Sequence, residues 1–481
     1  MNPYVQYMYS YPHKTAYRPL EGVSLASYVH LLKGGGHGLY VHLPFCQTKC
    51  GYCNLFSVTG QGPEQTDQYL DALGRQCIQY RGLLHPVQAR FDELVIGGGT
   101  PLYLSQNQLE RLFGMLAGWF SFCEKPDIVI ETAPNQTDAQ KLKLLKQAGV
   151  TRVSMGIQSF QDIELAALRR AHDAAAAQTA LHLVKSAGFS CVNTDFIYGI
   201  PGQTTKSLLS SLKKALSFCP DEIFLYPLYV KHGVGLLHDG VVPDAGQAYI
   251  QYQHAADFLK SNGWRQDSMR RFVHRKEDTA YDYMREYRDC GSGTSLALGC
   301  GGRSYLGRLH FSSPYAVAKT ECLKRIAEYN HTEDFTKITH GIVLSEQEQK
   351  RRYVIRHLLI MPGISPDRYK AEFQSSLLED FPVLSKWTDS GYVTSVTRPK
   401  VKDGRPEPSS SQNVSEGCET YLALAENVPE GCETYLALTE KGMGLSDYLG
   451  PQLISPEIQA LMEEWEEVQT FDRLSWKSQK L

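Results

Sequence analysis

Residues 38–56 read GLYVHLPFCQTKCGYCNLF, and this stretch decides the fold. Its first half, Leu39–Leu43, is an apolar, β-branched and aromatic run of strand character. Its second half carries Cys46, Cys50 and Cys53 in a C-x3-C-x2-C spacing. Three thiolates within eight residues can bind three corners of one iron–sulfur cube, since cysteine sulfur is the soft ligand such clusters select. A cluster usually takes four cysteines. Three leave one iron without a protein ligand, and an open coordination position is where metals do chemistry. A structural zinc knuckle is the competing reading. Zinc asks for a further ligand, commonly from a second C-x2-C or paired histidines downstream. No such pair follows, although His42 lies close by in sequence.

The rest of the composition narrows the class. A chain of 481 residues can bury two sizeable cores. Its net charge of −3, with no basic run, gives no sign of nucleic acid or an anionic membrane as partner. The polar, aromatic N-terminus lacks a signal peptide's apolar stretch, and no window approaches the ~20 apolar residues of a membrane span. The 12 cysteines show no disulfide framework outside the triplet and read as reduced thiols. A cytoplasmic setting at low oxygen is the expectation.

Six strand-like runs, Leu39–Leu43, Glu93–Ile96, Ile128–Glu131, Arg152–Ile157, Val192–Tyr198 and Glu222–Tyr229, alternate with helical patterns. These are Asp67–Leu84, Ser105–Trp119, Asp138–Ala148, Ala174–Ala187, Lys206–Phe218 and Ala245–Ser261. The alternation predicts βαβ units on a parallel sheet, with Gly149, Gly188 and Gly263 as helix stops. Each run ends in chemistry: the cysteine loop, GGGTP (Gly97–Pro101), Glu131, Gln158, Asp195 and Tyr226. In a parallel α/β barrel the carboxyl ends of the strands form the active face. Six such ends predict an α/β fold with a partial (β/α)6 barrel, because an open sheet gathers its ligands at one switch point.

Beyond residue 265, Arg265–His274 and Leu296–Tyr305 read as strands or loops closing the barrel's side. From Ser345, helices lead to a strand-like Gly391–Val396 and a last helix in Leu438–Gly442, the pattern of a small winged-helix-like domain. Residues 400–414 are Pro/Ser-rich and charged, hence a flexible loop. EGCETYLALAE at Glu416–Glu426 recurs as EGCETYLALTE at Glu430–Glu440. One pair of units cannot build a solenoid, so a surface insertion is expected, and the copied Cys418 and Cys432 are poor catalysts. The expected organisation is an N-terminal segment 1–36, a barrel 37–265, an extension 266–340, and a helical C-terminal domain 345–481 with a flexible insertion at 400–432.

GGGTP follows a strand and is either an ordinary tight turn or a backbone that approaches a ligand closely. Glu131 opens ETAPN, and buried carboxylates are rare unless paired. Gln158 closes RVSMGIQSF. Arg170 ends ALRRAH, where a guanidinium suits capture of a carboxylate; Arg169 reads as a solvated helix end. Asp195, a charge inside CVNTDFIYGIPGQT, asks for a polar partner.

Together YSYPHKTAYRP, YVHLPFCQTKCGYC, GGGTP, ETAPN, GVTRVSMGIQSF, RRAH and NTDFIYGIPGQT resemble one branch of the radical S-adenosylmethionine superfamily, the oxygen-independent coproporphyrinogen III oxidase-like family. The resemblance implies a [4Fe-4S] cluster on Cys46, Cys50 and Cys53, which serve as both metal ligands and catalytic residues. It implies S-adenosylmethionine contacts from Tyr40, Gly98, Gly99, Thr100, Glu131, Gln158, Arg170 and Asp195. It further implies an oxidoreductase that acts on a tetrapyrrole and draws single electrons from a donor such as flavodoxin or ferredoxin.

Two departures stand out. The oxidases carry a further cysteine where this chain has Leu55. The haem-chaperone relatives carry a His-Asn-x-x-Tyr-Trp motif, to which the nearest segment here is Gly302–Val317, with His310 and Tyr315 but neither Asn nor Trp. The alternatives are therefore a radical methyltransferase or haem-opening enzyme, and a haem-binding carrier. For substrate carboxylates the available bases are Lys14 and Arg18, among Tyr9, Tyr11 and Tyr17, and Arg270 with Arg271. Each of these also reads as surface charge or packing.

Overall fold

Local signals frame every βα unit. Ser105, Asp138, Asp173, Thr204 and Asp244 each accept a backbone N–H in the first turn of the helix they precede. Those helices are Gln106–Trp119, Ala139–Gln147, Ala174–Ser186, Thr205–Leu216 and Ala245–Ser261, and Pro63 opens the first one, Pro63–Leu84. Gly149, Gly188 and Gly263 follow three of these helices with φ of 82°, 69° and 83°, the left-handed stop that glycine allows.

The architecture comes from a computed structural model that describes residues 2–8, 10–231, 233–274, 293–399, 401–402, 405–406 and 432–465. It forms two compact units. One comprises His13–Asn262, Gly293–Leu344 and Pro456–Leu481. Its centre is six parallel strands in chain order, His37–Leu43, Phe91–Gly98, Phe122–Thr132, Arg152–Gln158, Cys191–Tyr198 and Glu222–Pro227. With a helix after each, this is the partial (β/α)6 barrel. The third strand starts at Phe122 rather than Ile128, because Phe122 already pairs with Phe91 ahead of a register irregularity. Buried Leu39, Val41, Ile96, Ile130, Val153 and Ile223 form the apolar body of these strands.

The segment expected to close the barrel's side extends the sheet from the first strand. Ser295–Leu298 lies parallel to that strand, with Leu296 beside Leu39 and Leu298 beside Val41. Arg303–Leu306, Leu309–Ser312, Lys337–Val343 and Arg18–Ser24 then follow antiparallel.

The other unit comprises Met1–Pro12, Gly263–Ser292 and Ser345–Ser455. Helices Glu346–Leu358, Pro366–Phe373, Leu377–Asp380 and Val383–Asp389 precede an antiparallel pair, Val393–Pro399 with Cys432–Leu438, in a winged-helix-like order. Here one expectation needs correcting. The second copy of the duplication is not a surface insertion: it supplies a core strand, with Tyr435 and Ala437 buried and Leu436 exchanging 2.8 Å backbone bonds with Ile364. Its alternating Tyr-x-Ala and Leu-x-Leu positions suit a two-sided burial. The first copy, with Cys418, and most of the 400–432 insertion lie outside the described residues.

Candidate functional site

The cysteine loop leaves the first strand at Pro44, and Phe45–Cys46 pairs with Val58–Thr59. GGGTP, at the end of the second strand, packs directly on it: Gly99 N–H donates to Leu43 O and Thr100 N–H to Phe45 O, both at 2.8 Å. A Cβ on Gly99 would stand 2.5 Å from Phe45 O, and one on Gly98 would stand 2.7 Å from the His42 ring. Part of the demand for glycine is therefore internal close packing rather than approach to a ligand alone.

Arg170 Nη1 lies 3.0 Å from Cys50 Sγ, and Thr100 Oγ1 lies 3.7 Å from Cys46 Sγ. Burial raises the Cys46 thiol, while burial and the neighbouring Cys50 push Cys53 up to about 12. Each sulfur thus feels another across one small volume, though no three His, Cys, Asp or Glu among the described residues stand as a closed metal centre. The donor set is soft, has three members and faces a guanidinium, which fits a cluster with one open iron. It does not fit a zinc knuckle completed by His42, because Nε2 of that ring is held by Phe56 O at 2.9 Å and Nδ1 by Tyr40 Oη at 3.2 Å.

The three cysteines line a cavity of about 390 Å³ with Gly98, Gly99, Thr100, Glu131, Gln158, Arg170 and Asp195. Of the expected S-adenosylmethionine contacts, Tyr40 alone is not on this wall; its hydroxyl is turned to His42. Glu131 Oε2 accepts the Gly98 N–H at 3.1 Å, and burial raises its carboxyl above the usual range. Asp195 Oδ1 accepts from Asn193 Nδ2 at 2.8 Å, and burial pushes it up to about 7. The Asn193 amide also reaches Ser154 Oγ at 2.7 Å. Arg170 Nη2 donates to Gly156 O at 2.5 Å, while its buried Nε has no hydrogen-bond partner among the described residues.

Gln158 is aimed by backbone conformation. The register between the fourth and fifth strands breaks between Gly156 and Gln158, and Gln158 adopts φ 73°. An irregularity at a strand end re-aims a side chain, and a non-glycine at positive φ is uncommon enough to mark a functional position. Arg169, as expected, faces outward and pairs with Asp239.

Tyr52, Ser154 and Tyr229 also line the cavity without having been singled out, and Asn193 supports it from behind. The signal for two of them is the strand period of two: Ser154 shares a face with Gly156 and Gln158, and Asn193 with Asp195. The bases proposed for substrate carboxylates are mostly engaged elsewhere. Arg270 pairs with Asp447 and stacks 3.6 Å from the Tyr7 ring centroid, and Arg271 reaches Asp267 at 3.2 Å. Arg18 holds Glu464 at 2.7 Å. Tyr11, which donates to Glu348, and Tyr17 are buried rather than open for stacking, and Tyr9 lies outside the described residues.

Comparison with known proteins agrees with this geometry. Residues 40–215 match the Radical SAM superfamily model. Heme chaperone HemW of Bacillus subtilis is 27% identical over 74% of this chain and 92% of its own length. Oxygen-independent coproporphyrinogen III oxidase of Escherichia coli is 27% identical over 74% of this chain and 79% of its own. The solved coproporphyrinogen III oxidase (HemN) of Escherichia coli shares the fold, with a TM-score of 0.72 at 21% identity over 93% of this chain and 96% of that one. No helix among the described residues is long and apolar enough to cross a membrane. The superfamily's cofactors are a [4Fe-4S] cluster and S-adenosylmethionine, which the three-thiol loop and its cavity accommodate. Residues 40–215 thus match the radical S-adenosylmethionine superfamily, and the chain is similar to both oxygen-independent coproporphyrinogen III oxidases and haem chaperones.

Proposed function

We propose that this chain is a radical S-adenosylmethionine oxidoreductase that converts a propionate arm of a tetrapyrrole to a vinyl group. The observation that carries the reading is the meeting of Cys46, Cys50 and Cys53 with Glu131, Gln158, Arg170 and Asp195 on one cavity at the strand ends. In this reading the cysteines, within a catalytic barrel spanning 37–265, hold the cluster. Gly98, Gly99, Thr100 and the four polar side chains hold S-adenosylmethionine, and Tyr40 acts from behind through His42. Bound together, the two cofactors supply a hydrogen-abstracting 5′-deoxyadenosyl radical by one-electron cleavage of the sulfonium.

The protein's own part is binding and orientation. Arg170 offers a planar donor pair to a carboxylate, Glu131 an acceptor for an ammonium, and Asp195 an acceptor for ribose hydroxyls. Loss of one hydrogen atom, carbon dioxide and one electron takes a propionate to a vinyl group, so a one-electron acceptor is also required. A flavodoxin- or ferredoxin-class protein would deliver the initiating electron.

The test is anaerobic reconstitution followed by dithionite, S-adenosylmethionine and coproporphyrinogen III. The reading expects 5′-deoxyadenosine in step with a decarboxylated product. One observation favours a second reading, a haem carrier: the likeness to a heme chaperone spans 92% of that protein. Leu55, half-exposed on the cavity wall, fits this too, since it offers no sulfur where the oxidases have one. Tight haem binding without 5′-deoxyadenosine from any tetrapyrrole would favour the carrier.

A further inference from the structure

Lys14 is 9% exposed, yet its ammonium meets no acceptor and no carboxylate among the described residues. Its one described contact is the Tyr315 ring, whose centroid lies 4.3 Å away. The charged side chain that acts on it most is Arg303, of its own sign, and the adjacent His13 feels Arg303, Lys231 and Lys14 together. Burial and Arg303 push Lys14 down to about 7. A buried cation among cations is costly unless an anion joins it.

Two contacts lead from this cluster to the cavity. Tyr315 Oη donates to the carbonyl of Asn54 at 2.9 Å, and Asn54 is on the cavity wall next to Cys53. Lys231 stands 5.5 Å from the centroid of Tyr229, which lines the same cavity. Lys14 is thus a buried cation without a counter-ion among the described residues, two contacts away from the cavity wall through Tyr315 and Asn54. The ring face of Tyr315 stabilises the ammonium there, but a ring is a weaker partner than a carboxylate.

We propose that Lys14, with Arg303 and Lys231, forms a binding subsite for a carboxylate arm of the substrate beside the cluster cavity. The proposal rests on the tetrapyrrole reading, which supplies a substrate with several such arms. Lys14 contributes the desolvated charge, where a hydrogen-bonded ion pair is strongest, and Arg303 and Lys231 raise the local affinity for anions.

The test uses the full chain, reconstituted anaerobically, with coproporphyrin III and its tetramethyl ester as probes, read by porphyrin fluorescence. Lys14→Met should weaken binding of the tetra-acid tenfold to hundredfold, Lys14→Arg should restore most of it, and the ester should not distinguish wild type from Lys14→Met. Equal tetra-acid binding by wild type and a folded Lys14→Met protein would overturn the subsite and leave the tetrapyrrole reading standing. If Lys14→Met does not fold, Arg303→Met replaces it: a tenfold loss confined to the tetra-acid supports the subsite, and no loss overturns it. Failure of wild type to bind coproporphyrin III at all would overturn the tetrapyrrole reading, and the subsite with it.

Discussion

In the C-terminal unit, buried and half-buried acids meet partners. Glu433 accepts from Arg368 at 2.9 and 2.7 Å and from Tyr435 at 2.9 Å, Asp380 holds Lys350 at 3.0 Å, and Asp447 holds Arg270. Burial raises the Glu433 and Asp380 carboxyls, but hydrogen bonds from Arg368, Ser365 and Tyr435 to Glu433, and from Ser375, Tyr369 and Lys350 to Asp380, overcome it and hold both below the usual range. At the mouth of the barrel, Glu131 has one backbone N–H and Asp195 one amide, and burial prevails in both. The contrast repeats within the barrel. Arg152 and Glu222, the first residues of the fourth and sixth strands, pair at 2.5 Å, whereas Glu131 and Asp195, farther along their strands, have one hydrogen-bond donor each. Completed pairs hold structure; incomplete ones mark the candidate positions for a ligand.

The largest expected effect lies in the cysteine loop. Cys46→Ala, Cys50→Ala or Cys53→Ala should each abolish the cluster, whereas Cys77→Ala, on the first helix, and Cys432→Ala should not. Iron content after anaerobic reconstitution measures this; four irons in a variant lacking all three loop cysteines would place the cluster elsewhere.

Breaking a completed pair tests the other side of the comparison. Arg270→Met leaves Asp447, whose side chain is 1% exposed, without its cation. A loss of about 3–5 kcal/mol in denaturant unfolding is expected, with S-adenosylmethionine binding unchanged. A loss below about 1 kcal/mol would mean that the pair does not hold its unit together.

Arg170→Ala should act in the opposite sense, leaving stability and the cluster spectrum nearly intact. Binding of S-adenosylmethionine should fall by about 1.5–3 kcal/mol, roughly tenfold to hundredfold, as measured by equilibrium dialysis. Unchanged affinity would remove Arg170 from the site.

The barrel is legible in the sequence because strand, capping residue, helix and stop glycine recur within short windows, and because Glu131 and Gln158 sit at the ends of apolar runs and Asp195 inside one. What is not legible depends on partners far along the chain. Arg270 finds Asp447 at a separation of 177 residues, and Tyr11 finds Glu348 at 337. Neither pairing leaves a local trace, so Arg270 and Tyr11 resemble exposed binding groups when read alone. The core strand in the second repeat copy is hidden for another reason: its duplicate has the same period, and only one of them is described as pairing with Val393–Pro399. Ser154 and Asn193 needed only a stricter use of the alternation already visible around Gln158 and Asp195.

The most direct test of incomplete pairing is one variant, Asp195→Asn, examined for both stability and binding. A carboxyl whose folded value is raised to about 7 takes up a proton on folding. Its stabilising share is present at low pH and is lost as pH rises from about 4 through 7. The account predicts that, without cofactors at pH 8, Asp195→Asn melts at or above the wild-type temperature, that the difference shrinks toward pH 4, and that its affinity for S-adenosylmethionine falls about tenfold or more. A variant that melts well below wild type at pH 8 yet binds S-adenosylmethionine as tightly would contradict it, making Asp195 a structural residue.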